Sequence, residues 1–296
     1  MRWQGGRQSS NVEDMRGVGG GGFGGGFGMP IGMPGGFGGA GLGGFGFLVF
    51  ILIALALGVD PSQILSGGGG YAPPTGGSST LSSADADQLK TFVSVVLADT
   101  EDVWHRQFAA RGLTYREPRL VLYTGSYPSA CGMAQEAIGP FYCPSDEKVY
   151  LDLDFLADLS SQFGPPGDFA QAYVIAHEVG HHVQKLLGIL DKAEAGGNQT
   201  GAGGLSVRTE LQADCFAGIW AHDADKSLGV VEPGDIDEAL GAAAAVGDDR
   251  LQREEQGRVI PDTFTHGTSA QRERWFKTGY DTGRIEACDT FGASSL

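Results

Sequence analysis

The chain has 296 residues, room for one large domain or two small ones, and 36 acidic against 20 basic side chains leave it at a formal net charge of −16. So acidic a balance argues against a nucleic-acid partner, which would call for a basic surface. Four cysteines with no Cys-x-x-Cys pair argue against a thiolate zinc knuckle, and the 50 glycines are concentrated rather than spread.

Residues 1 to 41 open with a short polar head (Arg2, Arg7, Glu13, Asp14, Arg16) and continue in Gly-Phe-Gly and Gly-Met-Pro repeats. Such a segment buries too little apolar surface to offset its ordering entropy, so disorder is expected over its whole length. Leu42 to Val59 are 18 uncharged, mostly apolar residues, which reads as a single transmembrane helix. Arg2, Arg7 and Arg16 precede it and Asp60 follows, which orients the N-terminus to the cytoplasm. The alternative is a cleaved signal peptide, since Ala54-Leu55-Ala56 is an A-x-A-like site. Either way the remainder is exported, periplasmic or extracellular. Residues 60–83 form a Gly/Ser/Pro linker, and 84–296 a folded domain large enough for a proper core.

Within that domain, Asp85 to Ala110 is expected to be a helix burying Leu89, Phe92, Val93, Val96, Val103, Trp104 and Phe108, with His105 an ordinary, partly exposed position. Arg119 to Thr124 is a short strand, and Ser126 to Pro140 a loop. Lys148 to Phe155 alternates as a half-buried strand does, either a plain sheet strand or an edge that aligns an extended peptide.

The next segment carries the chemistry. Asp168 to Leu187 has an apolar stripe at helical spacing, a capping Asp168 and Gly188 as a stop. Within it, His177 and His181 lie one turn apart on one face and can bind one zinc ion, with Glu178 about 100° round the helix, able to reach a metal-bound water. A glycine-rich loop spans 195–204. Further helices start near Ser206, at Pro233-Gly234-Asp235 and at Ser269, the last running to Lys277.

Catalytic zinc takes three protein ligands and keeps a position open. A third histidine six residues after His181 is excluded, because residue 187 is Leu. The best remaining donor is Glu210, whose apolar flanks imply partial burial. Asp214, one turn on, would accept a hydrogen bond from the outer nitrogen of a ligand histidine, or replace Glu210 as ligand.

The run His177-Glu178-Val179-Gly180-His181 with Glu210 and Asp214 resembles the gluzincin arrangement of zinc metallopeptidases. With the Met1-Arg2-Trp3 head, Gly139 to Pro144, Glu210 to Gly218, Gly247 to Gln252 and Phe264 to Arg272, the chain more closely resembles the bacterial putative neutral zinc metallopeptidase family. The resemblance implies an α+β, zincin-like domain, mainly helical with a small sheet, on a membrane-anchored chain. It implies no substrate beyond a peptide or protein.

The expected reaction is hydrolysis of a peptide bond by a zinc-activated water, with Glu178 as general base and one catalytic Zn2+ on His177, His181 and Glu210. The oxyanion needs a further donor. His266 is the first candidate, with Tyr173 and His182 behind it; His266 could instead cap the Ser269 helix, and His182 reads as structural. Asp248, Asp249 and Arg250 read as a helix-end charge cluster or as support for the site. Cys131 and Cys143 bracket a short loop and form the expected disulfide; Cys215 with Cys288 is the remaining pair, unless Cys215 is a free buried thiol. Disulfides agree with export. The competing function is a non-catalytic zincin-fold binding or scaffold protein of the cell envelope, which would have no need of Glu178.

Overall fold

A computed structural model of the chain describes residues 1–16, 81–135, 139–163, 167–197 and 199–296. The expected membrane helix at 42–59, the glycine-rich residues 17–41 and the linker as far as residue 80 lie outside the described residues. Among the described residues, no helix is long and apolar enough to cross a membrane.

Helix α1, Ser83–Ala109, starts where the Ser82 hydroxyl accepts the amide of Asp85. Its apolar stripe faces the core as the spacing predicts, with Leu89 partly buried against it. The opposite face is covered as well: every residue from Phe92 to Glu101 is buried. The cover is the head of the chain. Where composition predicts disorder, residues 1–16 are ordered, and Val12–Asp14 form strand β1, paired in parallel with β2, Arg119–Tyr123. Trp3 meets Phe92 edge-on at 5.5 Å between ring centroids. Glu101, only 2% exposed, accepts from Arg7 at 2.9 Å, from Asn11 at 2.9 Å and from the Ser9 hydroxyl. All three partners come from the head. Composition misleads here because the head contributes little apolar mass; what it contributes is hydrogen bonds to a buried carboxylate, which would be costly to leave bare.

The sheet has strand order β1-β2-β6-β5. Strand β6, Lys148–Asp152, is central, parallel to β2 and antiparallel to β5, Phe141–Cys143. The expected strand to Phe155 therefore ends early. The Asp152 carboxylate accepts the amides of Asp154 and Gly125, each at 2.8 Å, and the chain turns into helix α2, Leu153–Phe163. Strands β3, Ser126–Ser129, and β4, Gly132–Gln135, make a hairpin where a loop was expected. The Cys131–Cys143 disulfide ties the tip of that hairpin to β5.

Six more helices complete the domain: α3 Asp168–Leu186, α4 Ile189–Ala195, α5 Leu205–Asp223, α6 Asp235–Ala245, α7 Asp248–Gln256 and α8 Ser269–Thr282. Gly167, not Asp168, occupies the cap of α3, and Asp168 instead holds the ammonium of Met1 at 2.8 Å. Helix α5 is buried on all sides because α3 and α8 sandwich it. The α5–α8 approach requires glycine. A Cβ on Gly218 would lie 2.0 Å from the carbonyl oxygen of Phe276, and one on Gly279 1.9 Å from that of Cys215. The Cys215–Cys288 disulfide closes the same interface. The architecture is mainly helical with small sheets, the expected α+β class.

One strained feature is testable. Asp99 is 9% exposed and one of its oxygens lacks a hydrogen-bond partner. Burial, then the charge of Asp102, raises its pKa to about 6 from an ordinary 3.8. The folded state thus holds this proton more tightly than the unfolded chain, and stability falls as pH rises from about 4 through 6. Asp99→Asn is expected to stabilise by roughly 2 kcal/mol at pH 7.5 and to have little effect near pH 4, read by thermal unfolding at both. Equal shifts at the two pH values would contradict this account.

Candidate metal centre

The centre is built where α3 and α5 touch. His177 and His181, one turn apart on α3, set their rings edge to face at 4.8 Å. Between them, Gly180 leaves the space that α5 fills: a Cβ there would lie 3.0 Å from the carbonyl oxygen of Ala213. That approach brings Glu210 in. Its carboxylate stands 3.2 Å from His177 Nε2 and 3.6 Å from His181 Nε2, and the three donor atoms lie within 4.8 Å of one another.

The outer nitrogens decide what this cluster can hold. His177 Nδ1 lies 2.8 Å from Asp214 Oδ1, and His181 Nδ1 2.9 Å from Gln184 Oε1. The Gln184 amide nitrogen donates to the Thr209 carbonyl at 2.8 Å, so its oxygen must face His181. Both outer nitrogens therefore carry hydrogen, and the two Nε2 atoms turn to Glu210, where a metal ion would replace the protons that bind them to its carboxylate. Two neutral imidazoles and one carboxylate fit zinc.

Asp214 is wholly buried. It accepts from Tyr173 Oη at 2.6 Å and from Arg272 Nε and Nη2, each at 2.8 Å. Burial works to protonate it, but Arg272 and His177 hold its pKa far below the carboxylate range. Glu210 is likewise held well below, with His181, His177 and His266 overcoming its burial. Asp214 thus serves the outer nitrogen of His177, and Glu210 faces the donor cluster. Arg272 and Gln184 were not singled out by sequence reading. Arg272 lay unremarked in the Phe264–Arg272 segment, and Gln184 sits three residues after His181, a spacing visible in the helix.

Glu178 is not among the donors. It is 8% exposed and lines the same pocket, where burial raises its pKa against the opposing pull of His177 and His181, and the Tyr142 amide donates to it. His266 lines the pocket too. Its Nδ1 is 3.2 Å from Asp248 Oδ1, while Asp248 Oδ2 accepts the amides of Thr265, His266 and Gly267 at 2.7, 2.7 and 2.9 Å. Asp248 is therefore a buried support for His266, not a solvated helix-end charge; Asp249 accepts the Ser269 amide, and Arg250 pairs with Glu254 in solvent. Thr268, not His266, caps α8.

Three other candidates have different partners, although Tyr173 also lines the pocket. Tyr173 spends its hydroxyl on Asp214. His182 donates Nε2–H to the Arg116 carbonyl at 2.7 Å and accepts from Tyr142 Oη at 3.0 Å, bracing β5. His105 is exposed and meets Glu117. In a second acidic trio, Asp168, Asp235 and Glu238, the first two bond the Met1 ammonium, and Glu238 accepts the Phe169 amide.

The pocket has a volume of about 150 Å³. Beside the donors it is walled by Phe155, Leu159, Val174, Ala242, Val246 and Leu251, and by Pro140 to Tyr142 at the edge strand β5.

The family model described as putative neutral zinc metallopeptidase matches residues 1–291. The chain belongs to that family. It is 51% identical to "Uncharacterized protein YpfJ" of Escherichia coli K12, over 99% of this chain and all of the relative. It is 45% identical to "Uncharacterized protein Mb2605" of Mycobacterium bovis, over 82% of this chain and 86% of the relative. No solved structure matches it.

The role assigned to Gln184 is checked by metal affinity. Gln184→Leu frees the His181 ring, and zinc binding is expected to weaken by about 10- to 100-fold in competition with a chromophoric chelator. Unchanged affinity would show that His181 needs no such partner.

Proposed function

We propose that this chain is a zinc-dependent peptidase that hydrolyses peptide bonds with Glu178 as general base. The observation that carries the reading is a buried, pKa-raised carboxylate outside the donor cluster but inside the same pocket. A structural metal site has no use for one.

The residues divide the work as follows. His177, His181 and Glu210 would hold zinc, which when bound supplies a Lewis acid that acidifies water and polarises a carbonyl. Glu178 takes a proton from the attacking water and returns it to the leaving amine. Asp248 and Thr265 hold the His266 ring through Nδ1, and its other nitrogen serves as donor to the oxyanion. Asp214, itself clamped by Arg272 and Tyr173, holds the His177 ring in orientation. The edge of β5 away from β6 can receive an extended peptide by strand addition, beside the Tyr142 amide that Glu178 already engages. The apolar wall of Leu159, Val174, Ala242 and Val246 favours a large apolar side chain next to the scissile bond.

The test is cleavage of a peptide library by the purified, zinc-loaded chain. Glu178→Gln is expected to lower kcat/KM by at least about 100-fold with zinc content unchanged. Undiminished cleavage would refute the assignment. His266→Ala is expected to lower kcat by about 100-fold, again with zinc retained. Cleavage sites should be enriched in Phe, Leu or Met on one side, and Ala242→Phe should shift that preference to smaller residues. A library cut without regard to size would remove the role given to the wall.

A further inference from the structure

The head of the chain bears on where the whole protein stands, independently of its activity. Residues 1–16 are built into the domain: β1 extends the sheet, and Glu101 draws all its hydrogen bonds given above from Arg7, Ser9 and Asn11. The two ends of the intervening segment leave the domain side by side. Arg16 bonds Asp14 and, at 3.1 Å, Asp87 near the start of α1, while Lys90 of α1 bonds Asp14 at 2.9 Å.

A single crossing of a bilayer by Leu42 to Val59 would put these two ends on opposite faces, about 30 Å of hydrocarbon apart. To reunite them, residues 17–41 would have to thread back through the hydrocarbon. That stretch is rich in glycine and carries Pro30 and Pro34, so its backbone amides would lack partners there. Eighteen apolar residues are enough for one crossing and well short of the roughly 40 that two would need. Exchange of heads between two copies changes nothing, since head and domain still meet.

Arg2, Arg7 and Arg16 are the charges that would draw the N-terminus to the cytoplasm. All three are engaged by the folded chain. Arg2 donates to the Gly229 carbonyl, Arg7 pairs with Glu101 and Asp102, and Arg16 pairs with Asp14 and Asp87. Guanidiniums held by the domain travel with the domain. All four cysteines are paired, which agrees with an oxidising compartment for it.

We propose that residues 1–16 and 81–296 stand together on one side of the membrane. The inference needs only the contacts of the head and holds whether or not the chain is a peptidase.

The experiment uses the full chain expressed in a bacterial host, with one cysteine added at an exposed position: Gln8→Cys in the head or Lys277→Cys in α8. The native cysteines are tied in disulfides, so the added thiol is the one that reacts. Spheroplasts are treated with a membrane-impermeant maleimide before or after lysis. Equal labelling of both variants in each treatment is the expected result. Labelling of Lys277→Cys before lysis but of Gln8→Cys only after it would restore the single crossing and overturn the proposal. A third readout needs no added residue: proteinase K applied to spheroplasts should leave the Gln8→Cys and Lys277→Cys chains equally sensitive to cleavage, and selective protection of the head would count against the proposal.

Discussion

The site depends on one buried carboxylate. Asp214, with no exposure to solvent, joins the inner turn of α3 to α5 and α8 through His177, Tyr173 and Arg272. A charge in that position is tolerable only because a guanidinium and an imidazole face it at hydrogen-bond distance. Removing Arg272 would leave an uncompensated charge at the centre of the domain. The same contacts fix the tautomer of His177, so the ion pair that stabilises the fold also aims a metal ligand.

Everything around that point serves to bring three helices close enough. Gly180 admits α5 to α3, and the Gly218–Gly279 contact admits α8 to α5. The Cys215–Cys288 bridge secures the second crossing. On the far side of the pocket, His182 and the Cys131–Cys143 bridge hold β5, the edge that would meet an extended peptide. The pocket is thus rigid on both sides, as a site that must position a scissile bond requires.

The parts legible in the sequence were those governed by local spacing. Two histidines one turn apart, and two carboxylates one turn apart on a second helix, announce their faces by periodicity alone. The cysteine pairs followed from a short loop and elimination. What escaped was tertiary. Arg272 reaches Asp214 across 58 positions, and nothing local marks it. Gln184 looks like an ordinary polar helix residue until the Thr209 carbonyl orients its amide. Strand β6 seemed half-buried because its alternation is real, yet both faces are covered: Val149 and Leu151 join the main core, and Tyr150 packs with Val121, Tyr123 and Phe141 on the other face. The head looked disordered because its value to the fold lies in polar contacts, which composition does not register.

The central claim is that zinc is held by two imidazoles and one carboxylate with a position left for water. X-ray absorption at the zinc edge of the purified chain tests it most directly. The account predicts two imidazole nitrogens at about 2.0–2.1 Å, oxygen scatterers completing the shell and no sulfur. A sulfur shell, or a fourth protein nitrogen closing the coordination sphere, would contradict it.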